Sequence, residues 1–198
     1  MADITARLMS EHRCFEYLLE VLELQILGCG RGESPDYFLM RDIVHYMTRY
    51  PDTRHHAWEN LLFRALVRRD SRLRIVGQIL EGDHLRIAGL GGALLELLEN
   101  VLAGVVVSRD RLSGTGRRYV SCYRAHLRRE EQDLLPAAAR LSDAEIRRLV
   151  ATFVASPPPW GLGGGEYSAL RDHIETESAG ALSGVRSEAA SCPVCAAA

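Results

Sequence analysis

The stretch YPDTRHHAWEN, residues 50–60, decides how this chain is expected to fold. It lies inside a helical pattern of apolar residues, where Pro51 removes a helix hydrogen bond and must kink or interrupt the helix. Beyond the proline, His55 and Glu59 are four residues apart and therefore share one helix face. An imidazole and a carboxylate on one face can bind the same metal centre, so the stretch predicts a helix that carries metal ligands.

The same His–Glu spacing recurs later in the chain, and two single histidines lie on apolar helix faces. A lone His on such a face is more often a hydrogen-bonded core residue than a ligand. Four of them, buried with two carboxylates and no compensating ion, would leave unpaired charge at a cost of several kcal/mol. Six ligands can serve two metals if the glutamates bridge, and a mixed His/carboxylate set with vacant positions suits iron. The predicted ligands are His12, His55, Glu59, His84, His126 and Glu130.

Apolar periodicity and capping signals predict an all-α protein, an up-down-up-down four-helix bundle with a short fifth helix. The bundle domain is assigned to residues 1–155, and a loosely ordered Pro/Gly/Ser/Ala-rich tail to residues 156–198. The first two predicted helices are Ile4 to Leu27 and Ser34 to Arg68, the second with a kink at Pro51. The third begins at Asp70 or Ser71 and runs to about Val107. The fourth covers Arg117 to Leu135, with the possibility of a start upstream of Ser113 left open, and the fifth runs from Ser142 to about Val154.

Composition excludes several classes of protein. The 198 residues suit one domain, and a net charge of −2 does not favour nucleic acid as a partner. The start of the chain does not read as a signal peptide, and no apolar run reaches the length of a membrane span, so a cytoplasmic protein without a membrane partner is expected. Cys192 and Cys195 form a CxxC pair in the tail, for which disorder, zinc shared in a dimer and redox signalling stay open.

Four segments together resemble the hemerythrin-like, or HHE cation-binding, family. They are EHR (11–13), YPDTRHHAWEN (50–60), DHL (83–85) and RAHLRREE (124–131), in the right order and spacing from about Ile4 to Arg140. The resemblance implies a bundle with two iron ions in an oxo- or hydroxo-bridged centre, with the four histidines as terminal ligands and the two glutamates bridging. Members of the family carry or sense dioxygen, sense iron, or help to repair iron centres under nitrosative stress.

The chain also departs from the family pattern. Oxygen-carrying hemerythrins have a fifth His one turn after the third-helix His, and here that position is Ala88, which argues against dedicated oxygen transport. His56, Glu81 or solvent can take its place in the second metal's shell. Glu131 competes with Glu130, which is favoured because its spacing from His126 matches the His55–Glu59 spacing. Tyr123, three residues before His126, is the predicted hydrogen-bond donor behind the ligands.

Two functions from different classes follow. The first is a cytoplasmic di-iron protein that binds or senses dioxygen, iron or a related small ligand such as nitric oxide. The alternative is a di-iron oxidoreductase that turns over peroxide, nitric oxide or ferrous iron, or a protein that repairs iron centres. Histidine-rich ligation favours reversible binding over turnover, since ferritin-like ferroxidases use mostly carboxylates. A zinc-loaded or metal-free helical module is the third reading.

Overall fold

The computed structural model describes residues 4–155, 170, 172–174 and 176–177, and every regular element among them is helical. Four long helical arms pack as the expected up-down-up-down bundle, which confirms the all-α prediction. No helix within these residues has both the length and the apolar content that a membrane span needs. The helices are α1 Ile4–Gly30, α2 Tyr37–Tyr50, α3 His56–Arg69, α4 Arg74–Leu102, α5 Arg109–Arg129, α6 Leu135–Ala138 and α7 Asp143–Ala155. The four arms are α1, α2 with α3, α4, and α5 with α6.

Two of the long helices end at glycines in the left-handed region. Gly32 has φ 84° and Gly104 has φ 79°, a conformation that other residues rarely adopt. Beyond Gly104, the Val105 N–H donates to the Asn100 carbonyl at 2.9 Å, which closes the last turn of α4. The prediction that this helix runs to about Val107 was therefore wrong, because Gly104 ends it.

Side-chain caps fix the other boundaries. The Asp36 carboxylate accepts a hydrogen bond from the Leu39 N–H at 2.9 Å and starts α2. The Ser108 side chain does the same for α5, which begins at Arg109, upstream of Ser113, where the sequence had left its start open. The predicted capping box at the start of α7 is confirmed, since the Ser142 N–H donates to Glu145 at 2.8 Å.

A wide π-helical turn, Pro51–His55, separates α2 from α3. The His56 N–H donates to the carbonyl of Pro51, five residues back rather than four. Three turns of a regular 3.6-residue period from the buried Met47 would bring Trp58 inward, but the structure buries Glu59 instead. The wide turn thus shifts the inward face of α3 by one residue.

The interior contains two apolar clusters with a polar layer between them. Each long arm contributes apolar residues to both clusters and places polar residues in between. In α1, for example, Leu8 belongs to one cluster and Phe15 to the other, with His12 between them. In α4 the corresponding residues are Leu80 and Ile87. The four arms therefore present their polar side chains at one level of the bundle.

Six described positions of the predicted tail form helical turns. Ile174 is fully buried in the same apolar cluster as Phe15, and His173 is exposed with its Nε2 3.4 Å from Asp42. Loose order therefore does not extend to these positions. The remainder of the tail, including Cys192 and Cys195, lies outside the described residues.

Close approach of α4 to its neighbours depends on a glycine. A Cβ on the buried Gly91 would lie 2.4 Å from the Thr48 methyl and 3.0 Å from the Tyr119 ring. The adjacent Gly92 is exposed, and a Cβ there would meet nothing within 4 Å. The two glycines therefore have different roles in one helix.

Substituting Gly91→Ala is expected to lower the free energy of unfolding by about 1–3 kcal/mol, because the added methyl overpacks the α2–α4 contact. Gly92→Ala is the matched control and is expected to raise it by about 0.5–1 kcal/mol, since alanine favours an exposed helix. Urea unfolding followed by circular dichroism measures both. Shifts of the same sign and size would show that Gly91 is not a packing position.

Candidate metal centre

The six predicted ligands come together in the polar layer of the bundle. Five of them are at most 2% exposed, and the sixth, His84, has a side chain that is 14% exposed. Each long arm supplies part of the set, so no pair of helices forms the centre alone. The residues come from α1 (His12), the wide turn and α3 (His55, Glu59), α4 (His84), and α5 with the turn that follows it (His126, Glu130).

One group of candidate ligand atoms joins α1 to the second and fourth arms. His12 Nε2 lies 3.2 Å from His55 Nε2 and 3.4 Å from Glu130 Oε2. His55 Nε2 lies 2.7 Å from Glu59 Oε1. All four residues are buried, and their ligand atoms lie within 4.8 Å of one another, a spacing at which they can hold one metal ion.

A second group lies beside the first and contains His56, His84, His126 and Glu59. The rings of His56 and His84 are stacked with centroids 3.8 Å apart, and His126 packs against His84 at 4.6 Å. His56 is 4% exposed, so two consecutive histidines both face the interior. Its inclusion follows from the wide turn, which carries both His55 and His56 inward.

The two groups share Glu59, whose two oxygens face different sets of histidines. Oε1 is directed toward His55, and Oε2 lies 3.6 Å from His84 Nε2. Glu130 also lies between the groups, but there a single oxygen faces both: Oε2 is 3.4 Å from His12 and 3.3 Å from His126. Two carboxylates so placed can each bridge a pair of metal ions.

The inner polar atoms fit a metal centre better than a hydrogen-bonded core. Both oxygens of Glu59 and of Glu130 are buried without a hydrogen bond of acceptable geometry, as are the Nε2 atoms of His56, His84 and His126. Buried carboxylates left in this state cost several kcal/mol each. Imidazole nitrogens and carboxylate oxygens are also the donors that first-row transition metals take. The residues present therefore fit bound metal ions.

Outer carboxylates hold three of the histidines from behind. His55 Nδ1 donates to Glu11 at 2.7 Å, His12 Nδ1 to Glu131 at 3.1 Å, and His56 Nδ1 to Asp52 at 2.9 Å. In each case the bond orients the ring so that Nε2 points into the centre. Carboxylate–histidine pairs of this kind fix ring orientation and raise the basicity of metal-ligating histidines.

The electrostatics differ between the two groups. Burial lowers the pKa of His55, but Glu59 and Glu11 outweigh it and raise that pKa to about 10. The pKa of His12 rises to about 9, since Glu130 and Glu59 again outweigh burial. Burial prevails at His126 and lowers its pKa to about 4. The carboxylates around His12 and His55 thus favour proton binding by this pair, and a metal ion bound to these histidines would displace the protons.

The structure separates the alternatives that the sequence left open. Glu81 is exposed and belongs to neither group, whereas His56 belongs to the second. Ala88 is exposed as well. Glu131 bonds the outer nitrogen of His12 and does not replace Glu130 in either group.

The predicted role of Tyr123 is not supported. Its hydroxyl is buried without a hydrogen-bond partner, and its ring packs edge-on against His126 at 6.3 Å. Sequence reasoning instead missed Glu11 and Asp52 as the groups behind the histidines. Asp52 was visible as a carboxylate four residues before His56. Glu11 was not, because it reaches His55 from another helix.

Comparison with known proteins agrees with this geometry. The family model described as the hemerythrin HHE cation binding domain matches residues 3–138, which include every candidate ligand. No curated protein and no solved structure matches the chain significantly. The match covers well over half of the 198 residues. The chain therefore belongs to the hemerythrin HHE cation-binding domain family.

Proposed function

We propose that this chain holds two iron ions and uses them, in the cytoplasm, to bind or sense dioxygen, iron or a related small ligand such as nitric oxide. The observation that carries the proposal is the position of Glu59, whose two oxygens face two separate groups of histidines. A carboxylate that serves a single metal has no need of a second buried histidine group on its other oxygen. Membership of a cation-binding family supports the same reading.

The donor set favours iron over zinc. Structural zinc is almost always tetrahedral and closed, usually with cysteine among its ligands, and no cysteine belongs to either group. Five imidazoles and two bridging carboxylates suit two ions of higher coordination number that keep positions for an exogenous ligand. Bound iron would supply reversible electron transfer to and from that ligand.

The chain's own residues would prepare the centre in three ways. His12, His55, Glu59 and Glu130 would hold one ion, and His56, His84 and His126 with the shared carboxylates would hold the other. Glu11, Asp52 and Glu131 keep three of the rings oriented. The apolar clusters on both sides exclude water, and His84 is the least buried ligand, so a small ligand would enter beside it.

Metal stoichiometry tests the ligand set. Protein expressed in iron-replete cells is expected to contain about two iron atoms per chain by mass spectrometry, with oxo-bridge charge-transfer bands. Glu59→Ala removes the shared carboxylate and should reduce the content below about one, and His56→Ala should reduce it to about one. Glu81→Ala and His45→Ala, both exposed, are the matched controls and should retain two. A His56→Ala protein with full iron content would remove His56 from the set, and one zinc per chain in the unaltered protein would contradict the di-iron proposal.

Metal removal should destabilise the fold. Binding to the native state at about a thousand times Kd contributes about 4 kcal/mol. For a chain of this size, that corresponds to a change in Tm on the order of 10 °C. Calorimetry of the iron-loaded and chelator-treated proteins measures the change, and Glu59→Ala should show little response to added metal. Identical Tm values with and without metal would instead indicate a helical module that needs no ion.

Exposure of the reduced protein to dioxygen separates binding from turnover. We expect a visible absorption change that reverses under argon, with about one dioxygen taken up per chain, because histidine-rich ligation favours reversible binding. Optical titration with a dioxygen electrode measures both quantities. Consumption of many equivalents of dioxygen, peroxide or nitric oxide per chain would instead establish the oxidoreductase.

A further inference from the structure

A groove of about 610 Å³ runs along the outer surface between α4 and α5. It is separate from both groups of candidate ligands, none of which lines it. Its shape follows from the side chains of α5. The floor consists of small residues that recur on one face of that helix, Gly114, Ser121, Cys122 and Ala125.

Arginines surround this floor. Arg118 and Arg129 extend from α5, and Arg86 extends from α4 on the opposite side. Arg117 also lines the groove, but its guanidinium group lies beside Gly30 of α1. Along the helix axis, Arg118 and Arg129 are about 16 Å apart, at about 1.5 Å per residue. A Cβ on Gly114 would meet nothing within 4 Å, so the space above the floor is open at that end.

The groove carries unbalanced positive charge. Arg129 forms an ion pair with Asp83, which is the single acidic residue in the lining. Arg118 donates to the Thr115 hydroxyl at 3.2 Å, which leaves its charge uncompensated. Within the described part of the chain, Arg86 forms no ion pair. Two uncompensated positive charges, those of Arg86 and Arg118, thus face one concave surface of a protein whose net charge is −2.

We propose that this groove binds a small anion with two or more phosphate groups. A guanidinium group presents a planar pair of N–H donors that matches phosphate oxygens, and it retains its charge at every physiological pH. The arginines are spread too far along the groove for one phosphate to reach them all, whereas an oligophosphate can contact several. This site does not depend on the metal centre, because its unpaired arginines belong to the outer surface.

Titration calorimetry of the full-length protein with inorganic tripolyphosphate at physiological ionic strength tests the proposal. We expect saturable binding of about one anion per chain, weakened at least tenfold in the double variant Arg86→Ala/Arg118→Ala. Asp83 and Arg129 are left unchanged in the test because they adjoin His84 and Glu130. A parallel titration with a nucleoside triphosphate identifies the source of the phosphates: equal affinity means that phosphate alone is recognised, and tighter binding means a nucleotide.

The matched control is Arg64→Ala/Arg68→Ala, which removes the same charge from exposed positions on α3. It should bind tripolyphosphate as the unaltered protein does, and circular dichroism and iron content should be equal in all three proteins. Equal binding by the groove variant would place the anion elsewhere, the metal centre included, and would overturn the proposal. Absence of saturable binding would overturn it too, as would binding of an acidic peptide without binding of tripolyphosphate.

Discussion

Two carboxylates buried at the centre of an apolar bundle are the constraint on which the rest of the structure depends. Glu59 and Glu130 are almost completely removed from solvent, and neither has a hydrogen bond of acceptable geometry on its inner oxygens. Such charges cannot be left uncompensated in an apolar interior. The imidazoles that surround them come from all four arms, so each arm must deliver its polar residue at the same level. The division of the core into two apolar clusters follows from this requirement.

Regular α-helices alone do not satisfy that requirement. Two wide turns, Pro51–His55 and Glu130–Leu134, occur at the level of the centre, one just before Glu59 and one beginning at Glu130. Wide turns of this kind are common at functional sites, because the extra residue changes the inward face. In the second arm the change brings two consecutive histidines into the interior. The second and fourth arms therefore depart from regular α-helix at the level of the centre.

Charge is organised in layers around the centre. Carboxylates behind the histidines hold Nδ1 and leave Nε2 directed inward, so that the rings are oriented before any metal ion binds. Further out, the α4–α5 surface carries an excess of arginine charge beside the same two helices. The Arg129–Asp83 ion pair connects these regions, because Asp83 precedes His84 and Arg129 precedes Glu130 in the chain. An inner acidic layer and an outer basic groove therefore share two helices.

The sequence by itself determined the local features of this protein. The helical periodicity, the capping box at Ser142 and the His–Glu pairs at four-residue spacing depend on neighbours within one turn, and the structure contains all of them. Only the tertiary structure decided that His56, and not Glu81, faces the second group, because the wide turn shifts the register beyond it. It also decided that Glu11 supports His55, a contact between residues 44 apart in the chain. Contacts of that kind depend on how helices pack against one another. They cannot be predicted from the spacing of residues along the chain.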